Sequence, residues 1–180
     1  MLIGITGSPR QTDHRLAKHL EGMHFFTHYD MRSSLKNALL ALYGPQLYDY
    51  TTMDKKGHLI PFAGNQTYET LEENLHRFLK ATSGPTALRD TVEAMLSDPV
   101  NASADIVVTG ITVDDAGWLH AQGGMLVLVD DALDTGHTPP RDVPHFVFYN
   151  DHLDPDEFQI AADTMLDKGR RRHLNVIQKG

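Results

Sequence analysis

The chain has 180 residues, of which 41% are hydrophobic, so it can bury one sizeable core and intrinsic disorder is disfavoured. Its 16 Lys and Arg against 24 Asp and Glu give a net charge of −8, which disfavours long nucleic acid as a partner, and the absence of cysteine excludes disulfides, thiolate nucleophiles and cysteine-based zinc sites. No apolar run approaches the roughly 18 to 20 residues of a spanning helix, so we expect no membrane partner and a cytoplasmic location.

Strand-like and helix-like segments alternate along the chain. Continuous apolar or β-prone runs predict strands, and apolar residues at helical spacing predict helices. In chain order we predict a strand at 2–6, a helix at 13–23, a strand at 24–29, a helix from Ser33 or Ser34 to Gly44, helices at 67–79 and 86–96, a strand at 105–109, a short helix at 113–121, strands at 125–129 and 145–149, and a helix at 155–166.

This alternation predicts an α/β protein, with a mainly parallel sheet flanked by helices in three layers. The spacing between the strands at 105–109 and 125–129 suits a right-handed crossover. We predict one domain over 1–180, in which 46–65 is mobile or inserted and 46–100 forms a lid or substrate-side helical region. The Arg-rich tail at 168–180 is predicted to be poorly ordered.

The loop after the first strand is the strongest candidate for a ligand site, because ligands of parallel sheets bind at the carboxyl ends of strands. Gly7 matches the first glycine of a phosphate-binding P-loop. Asp13, however, occupies the position of the motif's lysine, and His14 occupies the position of its serine or threonine. Arg10, His14 and Arg15 supply positive charge in partial compensation. The alternative is a turn without a ligand, in which Asp13 caps the helix.

The first loop also resembles the phosphate loop of flavodoxin-like FMN reductases, through Gly7-Ser8-Pro9-Arg10. That resemblance implies a flavin-binding reductase. It covers about ten residues, and the chain contains no apolar loop of the kind that packs on a flavin ring.

A wider resemblance begins with the first strand and its loop and includes Leu-Lys-Asn-Ala-Leu at 35–39 and the helix at 86–96. It continues with Ala116 and the pair Gly123-Gly124 before a strand, then His137, and then Tyr-Asn-Asp at 149–151. In this order the segments resemble phage-type deoxynucleoside monophosphate kinases, over residues 1–166. The resemblance implies a P-loop kinase fold and transfer of the ATP γ-phosphate to a deoxynucleoside monophosphate, with Mg²⁺.

The chain departs from that family where the family keeps charged residues. Asp13 replaces the P-loop lysine, Ile111 replaces an arginine and Asp115 replaces a glutamate. We therefore expect other cations to take over, with Arg10 and Arg15 as catalytic residues and Arg32 and Arg89 on the substrate side. The residues expected to bind the nucleotide or its phosphates are Gly7, Ser8, Arg10, Gln11, Thr12, His14, Arg15 and Lys36.

The 11 histidines also raise the question of a metal site. His24 and His28 would share one face of a strand but lack a nearby third ligand, so we favour a structural or surface role. A second group has suitable ligand types at irregular spacing, and we assign no metal to it: His137, His145, Asp151, His152, Asp154 and Asp156.

Three hypotheses follow. The first is a nucleoside monophosphate kinase-like protein, or a weakened or inactive derivative that binds a nucleotide or another small phosphate ligand. The second is a non-catalytic descendant of that fold that binds a protein partner, and the third is the flavin-binding reductase. Whether the chain forms a homodimer is left open.

Overall fold

A computed structural model of the chain describes residues 1–7, 12–52, 54–130, 145–149 and 153–177. The chain forms two compact units. The first, here the sheet unit, consists of Met1–Asp30 and Pro99–Gly180, and the second, the helical unit, is the continuous segment Met31–Asp98. In chain order the helices and strands are β1 Leu2–Gly7, α1 Thr12–His24, β2 Thr27–Asp30, α2 Ser33–Tyr43, α3 Tyr68–Ser83, α4 Ala87–Leu96, β3 Ile106–Thr109, α5 Ala116–Ala121, β4 Met125–Asp130, β5 His145–Tyr149 and α6 Pro155–Ile177.

The sheet has five strands, all parallel, in the order β2-β3-β1-β4-β5. This confirms the predicted α/β class. β1 is the central strand. β2 and β3, which follow it in the sequence, lie on one side of it, and β4 and β5 lie on the other side. The order therefore reverses at β1, which makes its carboxyl end a topological switch point. The order differs from the 2-1-3-4-5 order of flavodoxin-like proteins, which argues against the flavin alternative.

Helices cover both faces of the sheet. Side chains of a strand alternate between faces, and Ile3 and Ile5 of β1 pack with Leu16 of α1 and Leu166 of α6 in the main core. Gly4 faces the other way, toward Leu119 of α5. The result is the predicted three-layer arrangement. β3 is buried along its whole length, as expected of a strand inside a parallel sheet.

The helical unit has a core of its own, in which Leu39, Leu47 and Ile60 pack with Tyr68 and Leu71. Leu47 and Ile60, in the segment 46–65 predicted to be mobile or inserted, are fully buried in this core. Short 3-10 turns that begin at prolines hold the chain around these two residues, Pro45–Thr51 and Pro61–Ala63. Such turns bury isolated apolar residues without helical periodicity, which is why the pattern was not visible in the sequence.

Three predicted boundaries are also wrong. α1 continues to His24, so β2 starts at Thr27, and Phe25 between them has a φ of 59°. The cap position of α2 is Arg32, with helical backbone angles and no side-chain cap, rather than Ser33 or Ser34. α6 continues to Ile177, so the predicted disordered tail is helical up to that residue. Gly169 lies inside this helix and packs closely on β4, since a Cβ there would collide with the sulfur of Met125.

None of the described helices combines the length and the apolar character needed to cross a bilayer.

Candidate functional site

The predicted phosphate loop follows β1 at the centre of the sheet. β1 ends at Gly7, which is in register with Val129 of β4, and α1 begins at Thr12. Thr12, Asp13 and His14 therefore lie in the first turn of α1, where backbone N–H groups lack partners within the helix. Asp13 is the second residue of this helix. The predicted ligand residues Ser8, Arg10 and Gln11 lie outside the described residues.

Arg15 contacts an aromatic ring of α6. Its side chain is exposed, and its Cζ lies 3.9 Å from the ring centroid of Phe158. Phe158 is buried and packs edge-on against Phe148 of β5, with the ring centroids 5.4 Å apart. A cation this close to a ring face is attracted by about 0.5–1 kcal/mol at an exposed site. The predicted catalytic Arg15 thus has a structural contact between α1 and α6.

The other predicted cations belong to the helical unit. Arg32 Nη1 donates to Glu72 Oε2 at 3.2 Å, and the Tyr68 hydroxyl donates to Glu72 Oε1 at 3.3 Å. Lys36 Nζ lies 4.7 Å from the ring centroid of Tyr48. Arg89 is partly buried on α4. The charges of Arg32 and Lys36 are therefore engaged within the unit, and each of the two has a partner that a ligand would compete with.

Ile111 occupies the position to which the kinase resemblance assigns a cation. Its side chain is only 5% exposed, and a Cβ built on Gly4 would collide with its Cδ1 atom. Ile111 is thus part of the core between β1 and α5, and an arginine there would have to be accommodated inside that core. Asp115, at the family's glutamate position, accepts hydrogen bonds from the backbone N–H and the hydroxyl of Thr112, at 3.0 and 2.8 Å.

A different group of polar side chains converges between α1 and α6. His19 Nε2 and His24 Nε2 lie 3.0 and 2.7 Å from the same carboxylate oxygen, Asp163 Oδ1. The two imidazole rings meet edge-on with their centroids 5.5 Å apart. Hydrogen bonds from His19 and His24 hold the pKa of the Asp163 carboxyl below its usual value. Within the described residues this is the only group of three or more His, Asp or Glu side chains close enough to share a metal ion.

Local spacing does not reveal this cluster, because it pairs His24 with His28 on a predicted strand. His24 instead ends α1, and His28 on β2 contacts the Thr109 hydroxyl through Nε2 at 2.9 Å. His19 and Asp163 are 144 positions apart, so no local spacing could connect them. The available signal was the presence of two histidines, His19 and His24, in the second half of one amphipathic helix.

The second predicted cluster is only partly described. His137, Asp151 and His152 lie outside the described residues, and His145 begins β5. Asp154 caps α6: its Oδ1 accepts from the N–H groups of Asp156 and Glu157, each at 2.9 Å. The Glu157 carboxylate accepts in return from the N–H of Asp154 at 3.2 Å, which completes a capping box. Asp154 therefore has a structural role at a helix start.

A scan against protein-family models and a search of curated proteins both gave no match for this chain.

Proposed function

We propose that the chain binds the phosphates of a nucleotide at the predicted phosphate loop, residues 7–15, and acts as a nucleoside monophosphate kinase-like protein. The observation that carries the proposal is the position of this loop. It follows the central strand of a parallel sheet at the switch point of the strand order, directly before a helix N-terminus, which is where α/β proteins bind phosphates. The reaction would transfer the γ-phosphate of ATP, as its Mg²⁺ complex, to a deoxynucleoside monophosphate in the cytoplasm, that of a host cell if a phage encodes the chain.

The residues of the chain support a weak transferase. Phosphoryl transfer depends on cations around the transferred group, and each such cation contributes on the order of 10³-fold in rate. Arg10 is the cation placed within the loop, and Arg15 can add a second charge only by leaving the ring of Phe158. Asp13 adds a negative charge to the same stretch of sequence. We therefore expect ligand binding to be retained better than turnover.

A second candidate function is supported by Ile111. Because this side chain is buried against Gly4, a cation at the position would have to be accommodated inside the core. A chain that has exchanged a transition-state cation for a core residue fits a non-catalytic descendant of the fold, which works by binding a protein partner.

A ligand screen by thermal unfolding tests the proposal. We expect ATP with Mg²⁺, or one of the deoxynucleoside monophosphates, to raise the Tm, and we expect Arg10→Ala to abolish this rise. Arg77→Ala is the matched control, because Arg77 is an exposed arginine on α3. Release of ADP over the four deoxynucleotides, measured in a coupled assay, then reports catalysis.

Each outcome has a distinct meaning. Binding with turnover supports an active kinase, and binding without turnover supports the inactive derivative. A chain that no nucleotide stabilises contradicts the proposal and favours the second candidate. Stabilisation by FMN alone, with a yellow protein, would support the flavin alternative instead.

A further inference from the structure

We propose that His19, His24 and Asp163 form a binding site for a divalent transition-metal ion, with Zn²⁺ as the preferred ion, that links the end of α1 to α6. The site belongs entirely to the sheet unit, is built from described residues, and is independent of the proposed nucleotide site. Two imidazole nitrogens and one carboxylate oxygen are a donor set that Zn²⁺ and neighbouring transition metals bind well in proteins.

The distances suit such an ion. The two nitrogens lie 3.0 and 2.7 Å from Asp163 Oδ1, and all three atoms lie within 4.8 Å of one another. A Zn²⁺ ion at about 2.0–2.1 Å from each ligand atom separates the ligands of a tetrahedral site by about 3.3–3.4 Å. Small side-chain rotations that move the imidazoles away from the carboxylate would therefore open the required space.

The ligands are also partly fixed before any ion binds. The His19 side chain is 10% exposed and packs edge-on against the Phe158 ring, with the centroids 5.9 Å apart. The His24 side chain is 22% exposed and packs against the His19 ring. Metal-ligating histidines bind more tightly when their rings are held in one orientation, because less freedom is lost on binding.

Solvent access distinguishes this cluster from a buried hydrogen-bond network. The Asp163 side chain is 44% exposed, so an ion can enter from solvent and water can occupy a fourth coordination position. Three protein ligands with one open position are typical of exchangeable or catalytic zinc sites, whereas structural sites supply four protein ligands.

The end of α1 explains how two histidines five positions apart meet. On a continuous helix such residues differ by about 140° in direction, given 3.6 residues per turn. His24 is the last residue of α1, and Phe25 after it has a φ of 59°, a left-handed conformation that is uncommon for a large side chain. The helix therefore ends where His24 can turn back toward His19.

Zinc titration of the untagged full-length chain, after removal of metals with a chelator, tests the proposal. We expect isothermal titration calorimetry to detect Zn²⁺ binding, with a Tm that rises on adding zinc and falls again with EDTA. His24→Gln and Asp163→Asn should each weaken the affinity about tenfold or more. His120→Ala is the matched control, since His120 is an exposed histidine on α5. The zinc affinity of this variant should match that of the unaltered chain.

Co²⁺ provides a second readout, because its visible spectrum reports imidazole ligands and coordination number. We expect that spectrum with the unaltered chain and the His120→Ala variant, and its loss in His24→Gln. Thermal unfolding in EDTA checks that each variant folds. If Asp163→Asn does not fold, the result for His24→Gln decides, because His24 is the more exposed of the two histidines. Equal zinc affinity in the unaltered chain and His24→Gln, or no zinc binding at all, would overturn the proposal.

Discussion

Ile111 packs directly over Gly4, so that a single methyl group added to this glycine would collide with the Ile111 side chain. The same methyl group would collide with Leu119 of α5. The absence of a side chain at Gly4 is therefore what lets α5 and the turn before it lie close to the central strand. This close approach joins one face of β1 to the segment that carries the chain from β3 to β4.

Gly4→Ala is expected to lower the free energy of unfolding by about 1–3 kcal/mol, because the core must shift to admit the methyl group. Urea denaturation measures this change. Gly117→Ala is the control: Gly117 lies in α5, and a Cβ there meets no atom within 4 Å. That substitution should raise stability by about 0.5–1 kcal/mol, since alanine favours the helix. Equal stabilities for the two variants would contradict the packing described between Gly4 and Ile111.

The start of α3 provides a second test. Thr67 precedes the helix, and its hydroxyl oxygen accepts a hydrogen bond from the Thr70 N–H at 3.2 Å. Thr67→Ala leaves that N–H without its cap, and we expect a loss of about 1 kcal/mol. Thr67→Asn keeps an acceptor and should retain most of the stability. Chemical denaturation measures the free energy of unfolding of both variants. If Thr67→Asn is as unstable as Thr67→Ala, the side chain does not cap the helix.

His76 on α3 makes stability depend on pH. Burial, followed by the positive charges of Lys80 and Arg32, lowers the pKa of His76 below its usual 6.5, although Glu73 and Glu72 oppose the shift. The stability that neutral His76 contributes is fully present above pH 6.5 and is lost as the pH falls through the lower pKa of the folded state.

We therefore expect the unaltered chain to lose more stability than His76→Gln when the pH falls from about 7.5 to about 5, a range that spans the ordinary histidine pKa. Denaturant titrations at the two pH values measure the difference. Glutamine is uncharged throughout this range, so the loss of stability in His76→Gln reports the effect of all the other titrating groups. Identical losses in the two proteins would show that His76 does not contribute.

Ser34 in the first turn of α2 has a buried hydroxyl oxygen, and among the described residues it has no hydrogen-bond partner. An unsatisfied buried hydroxyl costs stability, and alanine is the better helix former. We expect Ser34→Ala to raise the free energy of unfolding by about 0.5–1 kcal/mol. Ser97→Ala, at an exposed serine whose hydroxyl donates to the Glu93 carbonyl at 2.8 Å, should bring no such gain. A loss of stability in Ser34→Ala would show that the hydroxyl has a partner.

Much of the sheet unit could be predicted from local patterns. The run at 105–109 is apolar at three consecutive positions, 106–108, and Ile106–Thr109 is indeed a fully buried strand. Parallel strands inside a sheet are buried on both faces, so their sequences show continuous apolar runs that are visible without any partner strand. The alternation of such runs with amphipathic helices was enough to predict the fold class.

The parts that could not be predicted depend on contacts between distant residues. A glycine is typical of a helix end, but Gly169 lies inside α6, where Met125 packs against it. Leu47 and Ile60 show no periodicity, yet each is buried by residues from α2 and α3. Asp163 gives no local indication that its carboxylate meets His19 and His24. Tertiary packing determines each of these features, and local spacing carries no information about it.

The strand order also has a consequence for the order in which the chain can fold during synthesis. Among the described strands, β2 pairs only with β3, and β1 pairs only with β3 and β4. Both partners follow the helical unit in the chain, so a ribosome completes Met31–Asp98 before either early strand can be paired. Until Ile106–Thr109 emerges, β1 and β2 are unpaired strands, the kind of exposed segment that chaperones recognise in nascent proteins. The helical unit can fold during that interval, whereas the sheet can form only once Ile106–Thr109 has been synthesised.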